Sequence, residues 1–356
     1  MSVIYYAYPL DKQVSFKYIS EQHIRYIKRL SNINIQTLNV HTLDSTLLGW
    51  NRNIVLHPLF YPYLHPHTRP QSLQMLSKKC RLIAFDTADS DSISQEAINL
   101  ANLVECVVVP SNFAKEVFER CGVNVEIEVI PHGIPEEFTT PEKTITHPDF
   151  KKLVEIKEKN NFIFVHFNLT HSGYRKGADL FAKAMGIVQK ENPNIVILLK
   201  RLENIDPYVP SLRKLRTIEI GSYLNYNEFR QLYDLSDIMV LTTRGGGFEL
   251  NALEAIARGV PTIVPNAGCF LDYIQYTIPV DVTENKPIVL PNNPIHTGKG
   301  WEINVEKLAE TILHIADNLS HYKRKAWRNA KKVWKEYSWL NIAKKILNLL
   351  EKHNFI

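Results

Sequence analysis

Short runs of apolar residues alternate along the chain with longer segments in which apolar residues recur every three to four positions. The short runs are rich in Val, Ile and aromatic residues, which favours strands, and the longer spacing favours amphipathic helices. In the first part of the chain we expect strands over residues 3–8, 33–38, 53–57, 81–85, 105–110 and 126–131, and helices over 16–30 and 112–120. This alternation is typical of a parallel α/β sheet.

A second series of the same kind follows a polar segment at 139–160, which we expect to be a connection with a short helix. The expected strands are 162–167, 195–200, 217–221, 237–243 and 261–265, and the expected helices are 176–189 and 227–233. A long loop is expected over 277–301. Three helices are expected after it: one over 305–319, a second that ends at 337, and a third over 340–352. The pattern predicts two Rossmann-like domains with a boundary near residue 150 and a cleft between them.

Three consecutive glycines, Gly245 to Gly247, stand directly before a helix that is expected to begin near residues 249–251. Glycine permits positive φ and a close approach to a ligand, and the first turn of a helix offers N–H groups to an anion. This pattern predicts a diphosphate site. Glu254 lies in the apolar part of the helix, where it pairs either with Arg258, four residues on, or with the hydroxyls of a ribose.

The composition narrows the class of partner. With 356 residues, 45% hydrophobic and 22% charged, the chain is that of an ordinary globular protein large enough for two domains. A net charge of +5 and a pI near 8.8 suit an anionic small molecule or a membrane surface, and we expect no nucleic-acid partner.

The cysteines are scattered, without the close pairs of a zinc site or a disulfide framework, and they are expected to be buried thiols: Cys80, Cys106, Cys121 and Cys269. The amino terminus lacks the basic start and long apolar core of a signal peptide. No run approaches the ~20 apolar residues that a spanning helix needs. We therefore expect a cytoplasmic protein.

Four segments together are similar to one known family. They are ECVVVPSNFAKEVFERCGVNVEIEVIPHGIPEEF at 105–138, RKG at 175–177, YLNYNEFRQLYDLSDIMVLTT at 223–243 and GGGFELNALEAIARGVPTIVPNAG at 245–268. From about Phe85 to the C-terminal helices, the chain resembles the retaining glycosyltransferases of the GT-B fold, family 4 (glycosyl transferases group 1). The resemblance implies an α/β protein with an acceptor domain over 1–150 and a donor domain over 151–339. Their parallel sheets would face each other across the cleft, and the C-terminal helix, about 340–356, would pack back on the first domain.

The resemblance also implies a nucleoside-diphosphate sugar as the donor substrate, with no further cofactor. The family's motif lysine, Lys176 here, contacts the diphosphate, and Arg175 adds charge beside it. Cations at the start of a helix are disfavoured by its dipole, which favours a binding role over a solvated surface. The other donor-binding residues implied by the resemblance are Thr170, Tyr223, Leu224, Gly247, Phe248, Leu250 and Glu254. Of these, Tyr223 and Leu224 either flank the nucleobase or pack inside the domain.

Two positions depart from the family's pattern. An arginine is usual six residues before the lysine, where this chain has Thr170, followed by His171. The first of two glutamates eight positions apart is replaced by Gly246, whereas Glu249 stands where the family has a small residue. We expect Glu249 to replace the missing carboxylate at the donor sugar.

On the acceptor side, Asp86 follows a first-domain strand at the place where the family carries an acidic or histidine residue. Asp89 to Asp91 superficially match the metal motif of another glycosyltransferase fold, but Asp91 or Ser92 is expected to cap the following helix. The histidines His57, His65 and His67 belong to an aromatic loop that is expected to bind the acceptor rather than a metal. No metal is expected.

Together these features predict a hexosyltransferase-type, metal-independent enzyme that moves a sugar to a hydroxyl of a glycan, lipid or protein, with retention. The alternatives are an epimerase or phosphorylase acting on activated sugars, and an inert sugar-nucleotide-binding protein. Basic residues on the first helix and on the helix ending at 337 suit either solvent or anionic lipid at a membrane surface.

Overall fold

The computed structural model describes residues 3–12, 14–43, 51–64, 70–170, 172–202 and 206–356. Contacts divide the chain into two compact units. Unit 1 comprises Met1–Gly133, Leu290–Gly298 and Trp339–Ile356, and unit 2 comprises Ile134–Val289 and Lys299–Ser338.

Unit 1 is built on a six-stranded parallel sheet in the order β2-β1-β3-β4-β5-β6. Its strands are β1 Val3–Tyr8, β2 Asn34–Asn39, β3 Asn53–Leu56, β4 Arg81–Phe85, β5 Cys106–Val109 and β6 Glu126–Val129. The helices in the same stretch are α1 Ser15–Leu30, α2 Phe60–Leu64, α3 Pro70–Lys79, α4 Gln95–Ala101 and α5 Asn112–Cys121, and Val40–Thr42 forms a 3-10 turn. The central strands are buried on both faces, which is why they appear in the sequence as nearly continuous apolar runs.

Unit 2 repeats this architecture, with strand order β12-β11-β10-β7-β8-β9. Its strands are β7 Ile163–Leu169, β8 Ile195–Arg201, β9 Thr217–Ile220, β10 Ile238–Val240, β11 Thr262–Pro265 and β12 Ile278–Val280. Its helices are α6 Pro148–Asn160, α7 Ala178–Glu191, α8 Val209–Arg213, α9 Tyr226–Leu235, α10 Leu250–Ala257, α11 Val305–Asp317 and α12 Leu319–Glu336, with 3-10 segments at Glu136–Phe138 and Gly268–Tyr276.

The last helix, α13 Trp339–Lys352, returns to unit 1, where it packs against α1. Trp339 at its start is 1% exposed, and a Cβ at Gly133 would lie 2.6 Å from the indole ring. The helix is therefore fixed to unit 1 by its own apolar face.

The structure differs from the expectation of one long loop over residues 277–301. Residues 278–280 form β12, which pairs with β11, because the run is short but apolar enough to extend the sheet. Residues 290–298 belong to unit 1, where His296 pairs with Ile93 in an antiparallel bridge.

The expected boundary at residue 150 also differs from the division by contacts, since residues 134–150 pack in unit 2. The guanidinium of Arg258 explains this placement, because it donates to the carbonyl oxygens of Phe138, Thr140 and Glu142. Because this segment is polar and has no strand pattern, its sequence alone does not indicate such a contact.

Candidate functional site

The glycine loop connects β10 to α10 in unit 2, and its left-handed residue is Glu249, with φ of 61°. Gly245 to Gly247, where glycine permits positive φ, all have φ outside that region. A Cβ at Gly246 would lie 2.3 Å from Glu249 Oε1, so a larger residue there would make this carboxylate shift. The glycine makes room for the carboxylate of Glu249.

Glu249 and Lys176 form a buried ion pair beside this loop. Lys176 Nζ lies 2.7 Å from Glu249 Oε1 and 2.6 Å from Oε2, and the side chains are 15% and 4% exposed. Arg175 Nη1 lies 3.7 Å from Glu249 Oε1 and donates to the carbonyl of Gly245 at 3.0 Å. The sequence-predicted residues Arg175, Lys176 and Glu249 therefore come together at one place.

The expectation that Lys176 opens a helix is wrong, because α7 begins at Ala178. Lys176 lies in the preceding turn, and Gly177 has a left-handed φ of 67°. A Cβ at Gly177 would lie 2.1 Å from the carbonyl oxygen of Thr242, so only glycine lets the turn approach the end of β10 so closely. This approach brings Lys176 to the glycine loop.

The first turn of α10 lies next to the ion pair. Glu249 occupies the N-cap position but makes no capping hydrogen bond with its side chain, since that carboxylate is turned to Lys176. A helix start without an acidic side chain in its first turn presents N–H donors and a positive dipole end. The start of α10 at Leu250 is thus suited to bind an anion.

Glu254 lies in the next turn of α10 and is 8% exposed. Tyr233 of α9 donates its hydroxyl hydrogen bond to Glu254 Oε2 at 2.9 Å, and burial raises the pKa of the carboxyl group to about 7. The alternative ion pair with Arg258 does not form, because Arg258 Nε lies 2.8 Å from Asp234 Oδ1. A helical spacing of four therefore did not decide the partner of Glu254.

Unit 2 contains a buried chain of polar side chains that the sequence alone does not predict. Ser236 Oγ lies 3.1 Å from His166 Nδ1, and His166 Nε2 lies 3.0 Å from Asn168 Oδ1. Asn168 also lines a narrow pocket with Lys176, Glu249 and other residues at the carboxyl ends of β7 and β10. The only signal in the sequence is the pair of polar residues inside the apolar strand β7.

The other donor-side predictions occupy different environments. Phe248 is 3% exposed and its ring packs near Tyr273, so its side chain belongs to the core. Leu224 is likewise buried, in the cluster around Phe164, whereas Tyr223 is 74% exposed in the loop after β9. Of the two proposed base-flanking side chains, only Tyr223 is placed on the surface.

Thr170 follows β7 directly and is half-buried. Gly247 lies in the loop between β10 and α10. His171, like His65 and His67, lies outside the described residues.

In unit 1, Asp86 follows β4 and is 6% exposed. Its Oδ2 accepts from the backbone N–H of Phe60 at 2.7 Å and its Oδ1 from that of Thr87 at 2.8 Å, while burial raises its pKa to about 7. The carboxylate therefore organises the loops that end β3 and β4. The expected cap at Asp91 or Ser92 is wrong, since Ser94 caps α4 by accepting from Ala97 N–H.

His57 follows β3 and is buried. Its Nδ1 lies 2.8 Å from Ser20 Oγ, and its ring stacks on that of His23 at 5.7 Å between centroids. Burial lowers the pKa of both imidazoles well below the ordinary value, so they are neutral at physiological pH.

The basic side of α12 faces away from the unit, while its apolar side, including Ala330 and Val333, is buried. The cations with exposed side chains are Arg324, Lys325, Arg328, Lys331, Lys332 and Lys335. Among the helices that the structure describes, none combines the length and apolar character needed to cross a bilayer.

Comparison with known proteins gives a consistent family. Residues 67–346 match the family described as Family 4 Glycosyltransferase in conflict systems. The chain is 29% identical over 360 residues to Uncharacterized protein 356 of Sulfolobus islandicus rod-shaped virus 1, covering 99% of each chain. It is 25% identical over 278 residues to a provisionally named glycosyltransferase of Sulfolobus islandicus filamentous virus, covering 76% of this chain and 74% of that one.

Among solved structures, the Anabaena protein HepE in complex with UDP and glucose is similar with a TM-score of 0.70 at 16% identity. The match covers 99% of this chain and 100% of that one. The likeness confirms the GT-B fold expected from the sequence.

Proposed function

The chain belongs to the family 4 glycosyltransferases of the GT-B fold, and from that membership we propose that it transfers a sugar from a nucleoside-diphosphate donor to an acceptor hydroxyl, with retention. The observation that carries this proposal is the buried Lys176–Glu249 pair at the start of α10. A buried cation beside helix N–H groups suits a diphosphate, and a carboxylate at the same place suits sugar hydroxyls.

The donor diphosphate would lie against the first turn of α10, where Lys176 exchanges its contact with Glu249 for phosphate oxygens. As the bond from the anomeric carbon to the diphosphate breaks, negative charge grows on the leaving oxygen, and Lys176 with the helix N–H groups stabilises it. The acceptor hydroxyl forms the new bond on the same face of the sugar and gives its proton to the departing phosphate.

Two carboxylates complete the donor side. Glu249, released from Lys176 by the incoming phosphate, would accept hydrogen bonds from the donor sugar, and Glu254, held by Tyr233, would accept them from the ribose. Arg175, already close to Glu249, would share the charge of the diphosphate. We propose a hexosyl group as the transferred sugar, as the resemblance to family 4 implies.

Several further roles are part of the proposal. The exposed ring of Tyr223 is available to a nucleobase, and a uridine donor is supported by the UDP in the Anabaena structure. Asp86 would orient the acceptor, and the chemistry would need no metal, because cationic side chains and helix N–H groups provide the charge. No observation favours an epimerase, a phosphorylase or an inert binding protein.

The test is a panel of labelled sugar nucleotides incubated with wild type and with Glu249→Gln. We expect one donor to be hydrolysed slowly without acceptor, and Glu249→Gln to lower this rate by about 100-fold, the cost of misplacing a reacting group. Binding of the free nucleoside diphosphate should persist in the variant, because Lys176 no longer has to leave a carboxylate partner before it binds phosphate.

The matched control is Glu191→Gln, an exposed glutamate at the end of α7, which should leave turnover unchanged. Nucleotide binding without turnover of any donor by wild type would identify an inert module and overturn the proposal. Full turnover by Glu249→Gln would show that another group replaces the missing glutamate.

A further inference from the structure

At the amino ends of β5 and β6, unit 1 brings together three side chains that are potential metal ligands. Cys106 and Glu126 are paired in register as the first residues of their strands, and His353 follows α13 directly. One ligand atom from each of the three lies within 4.8 Å of the others, and His353 Nε2 lies 3.4 Å from Glu126 Oε2. Thiolate, carboxylate and imidazole are the ligand types that proteins use for Zn²⁺.

The position of His353 is fixed by its backbone. Arg81 of β4 donates from Nη2 to the carbonyl of His353 at 2.7 Å and from Nη1 to that of Asn354 at 3.1 Å. Asn53 donates to the carbonyl of Phe355 at 3.0 Å, and the Phe355 ring is buried. Residues 353–355 are thus held at the amino ends of β3 and β4, and the imidazole of His353 is preorganised next to Cys106.

The second nitrogen of the imidazole faces another carboxylate. His353 Nδ1 lies 4.0 Å from Glu105 Oε2, and Glu105 is held by Arg81 through two contacts of 2.8 and 2.7 Å. Histidines that bind metals commonly direct their other N–H to a carboxylate, which fixes the ring and its tautomer. The contact of Nδ1 with Glu105 is longer than a hydrogen bond, and Nε2 lies 3.4 Å from Glu126 Oε2.

The charges also suit a divalent cation. A thiolate at Cys106 and the carboxylate of Glu126 would balance two positive charges. Lys352 binds Glu126 through Oε1 and also contacts Glu128 at 2.7 Å, so Oε2 of Glu126 remains on the side of His353. Lys352 and Glu128 then form their own neutral pair at the rim.

We propose that Cys106 Sγ, Glu126 Oε2 and His353 Nε2 bind a Zn²⁺ ion, with a water molecule as the fourth ligand. Binding releases the thiol proton of Cys106 to solvent, and the mixed sulfur, nitrogen and oxygen set favours zinc over magnesium or calcium. The site lies at the amino ends of the strands, whereas Asp86 follows the carboxyl end of β4. The ion therefore ties α13 to the sheet of unit 1 and takes no part in sugar transfer.

Nothing in the sequence indicates this site, because its three residues are far apart in the chain and no cysteine pair marks it. Only the pairing of β5 with β6 and the return of α13 to unit 1 bring them together.

The proposal is tested by titrating the full-length, chelator-treated protein with Co²⁺ alone and recording absorption. We expect one ion per chain, visible bands of a tetrahedral site, and a near-ultraviolet thiolate-to-cobalt band, all displaced by Zn²⁺. Cys106→Ser should lose the thiolate band, and His353→Gln should weaken Co²⁺ binding at least 10-fold. The matched control is Cys121→Ser, a second thiol of unit 1, which should retain the wild-type spectrum.

Thermal unfolding gives a second measurement. Zn²⁺ should raise the unfolding midpoint of wild type and of Cys121→Ser, but not that of His353→Gln or Cys106→Ser. A thiolate band that is missing in wild type, or unchanged in Cys106→Ser, would overturn the proposal. Should Cys106→Ser fail to fold, Glu126→Gln and His353→Gln decide the question, since both alter side chains at the surface edge of the cluster.

Discussion

At the scale of single residues, Gly246 and Glu249 explain how this chain departs from its family's pattern. The family has a glutamate where this chain has Gly246, and a Cβ at that position would collide with the carboxylate of Glu249. With a larger residue at 246, the carboxylate of Glu249 would have to shift from its present position. In the structure Glu249 has left-handed backbone, and its carboxylate contacts Lys176 beside Gly246, which has no side chain.

Glu254 provides a prediction at the same scale. Burial raises the pKa of its carboxyl group from 4.5 to about 7, so the folded protein holds this proton more tightly than the unfolded chain. The resulting stabilisation is fully present below about pH 4.5 and is lost as the pH rises through about 7. The difference corresponds to about 3 kcal/mol.

We therefore expect Glu254→Gln to unfold at a higher midpoint than wild type at pH 8, to lose this advantage at pH 4.5, and to bind the donor more weakly at pH 8. Chemical denaturation at the two pH values and donor titration measure these effects. Glu191→Gln, which changes an exposed glutamate, should follow wild type throughout. An equal advantage at both pH values would contradict the prediction.

At the scale of elements, Arg258 joins three parts of unit 2 that are distant in sequence. It ends α10, pairs with Asp234 on α9, and donates to the carbonyl oxygens of the segment that enters the unit, including Thr140. Both side chains of the pair are 0% exposed. The contacts of Arg258 specify where the entering segment lies on unit 2. Hydrophobic packing of Phe138 alone is less directional and specifies this position less strictly.

Removing this guanidinium should be costly. We expect Arg258→Ala to destabilise unit 2 by about 3–5 kcal/mol, because it leaves Asp234 buried without its main counter-ion. Limited proteolysis should then cut within residues 134–147 earlier than in wild type. Arg213→Ala, which removes an ion pair at a half-exposed arginine, should change the midpoint of unfolding little, and an equal loss in the two variants would refute the special role of Arg258.

At the scale of the whole molecule, a net charge of +5 accompanies a basic face on α12. The apolar face of that helix is already buried in unit 2, so it cannot insert into a bilayer without unfolding. A contact of α12 with lipid would therefore be electrostatic. The basic residues by sequence alone suited either solvent or anionic lipid, and for α12 the structure leaves charge contacts at the surface of such a lipid.

We expect the protein to float with phosphatidylglycerol vesicles at low salt and to be released at high salt, with no binding to phosphatidylcholine vesicles. Each exposed cation near such a surface contributes about 1 kcal/mol, so changing Arg324, Arg328 and Lys332 to Gln should weaken flotation strongly. Changing Lys151, Lys152 and Lys159 on α6 serves as the charge-matched control. Flotation that is absent, or insensitive to salt, would remove electrostatic lipid binding as a property of α12.

Local patterns determined much of this protein. Apolar runs and helical spacing predicted most of the strands and helices, because a buried strand or helix has a characteristic spacing of apolar residues within a short stretch of the chain. The glycine loop, Lys176 and Glu254 were identifiable because they belong to short motifs. Their convergence in unit 2 follows from the order of β7 and β10 in a parallel sheet.

Only the tertiary structure decided the partners of charged groups and the neighbours of distant segments. Glu254 binds Tyr233 rather than Arg258, the positive φ falls on Glu249 rather than the glycines, and Cys106 meets His353 across most of the chain. The physical reason is that an ion pair or a set of metal ligands depends on which surfaces pack together. Packing brings together residues that are far apart in the sequence, and no periodic pattern marks them.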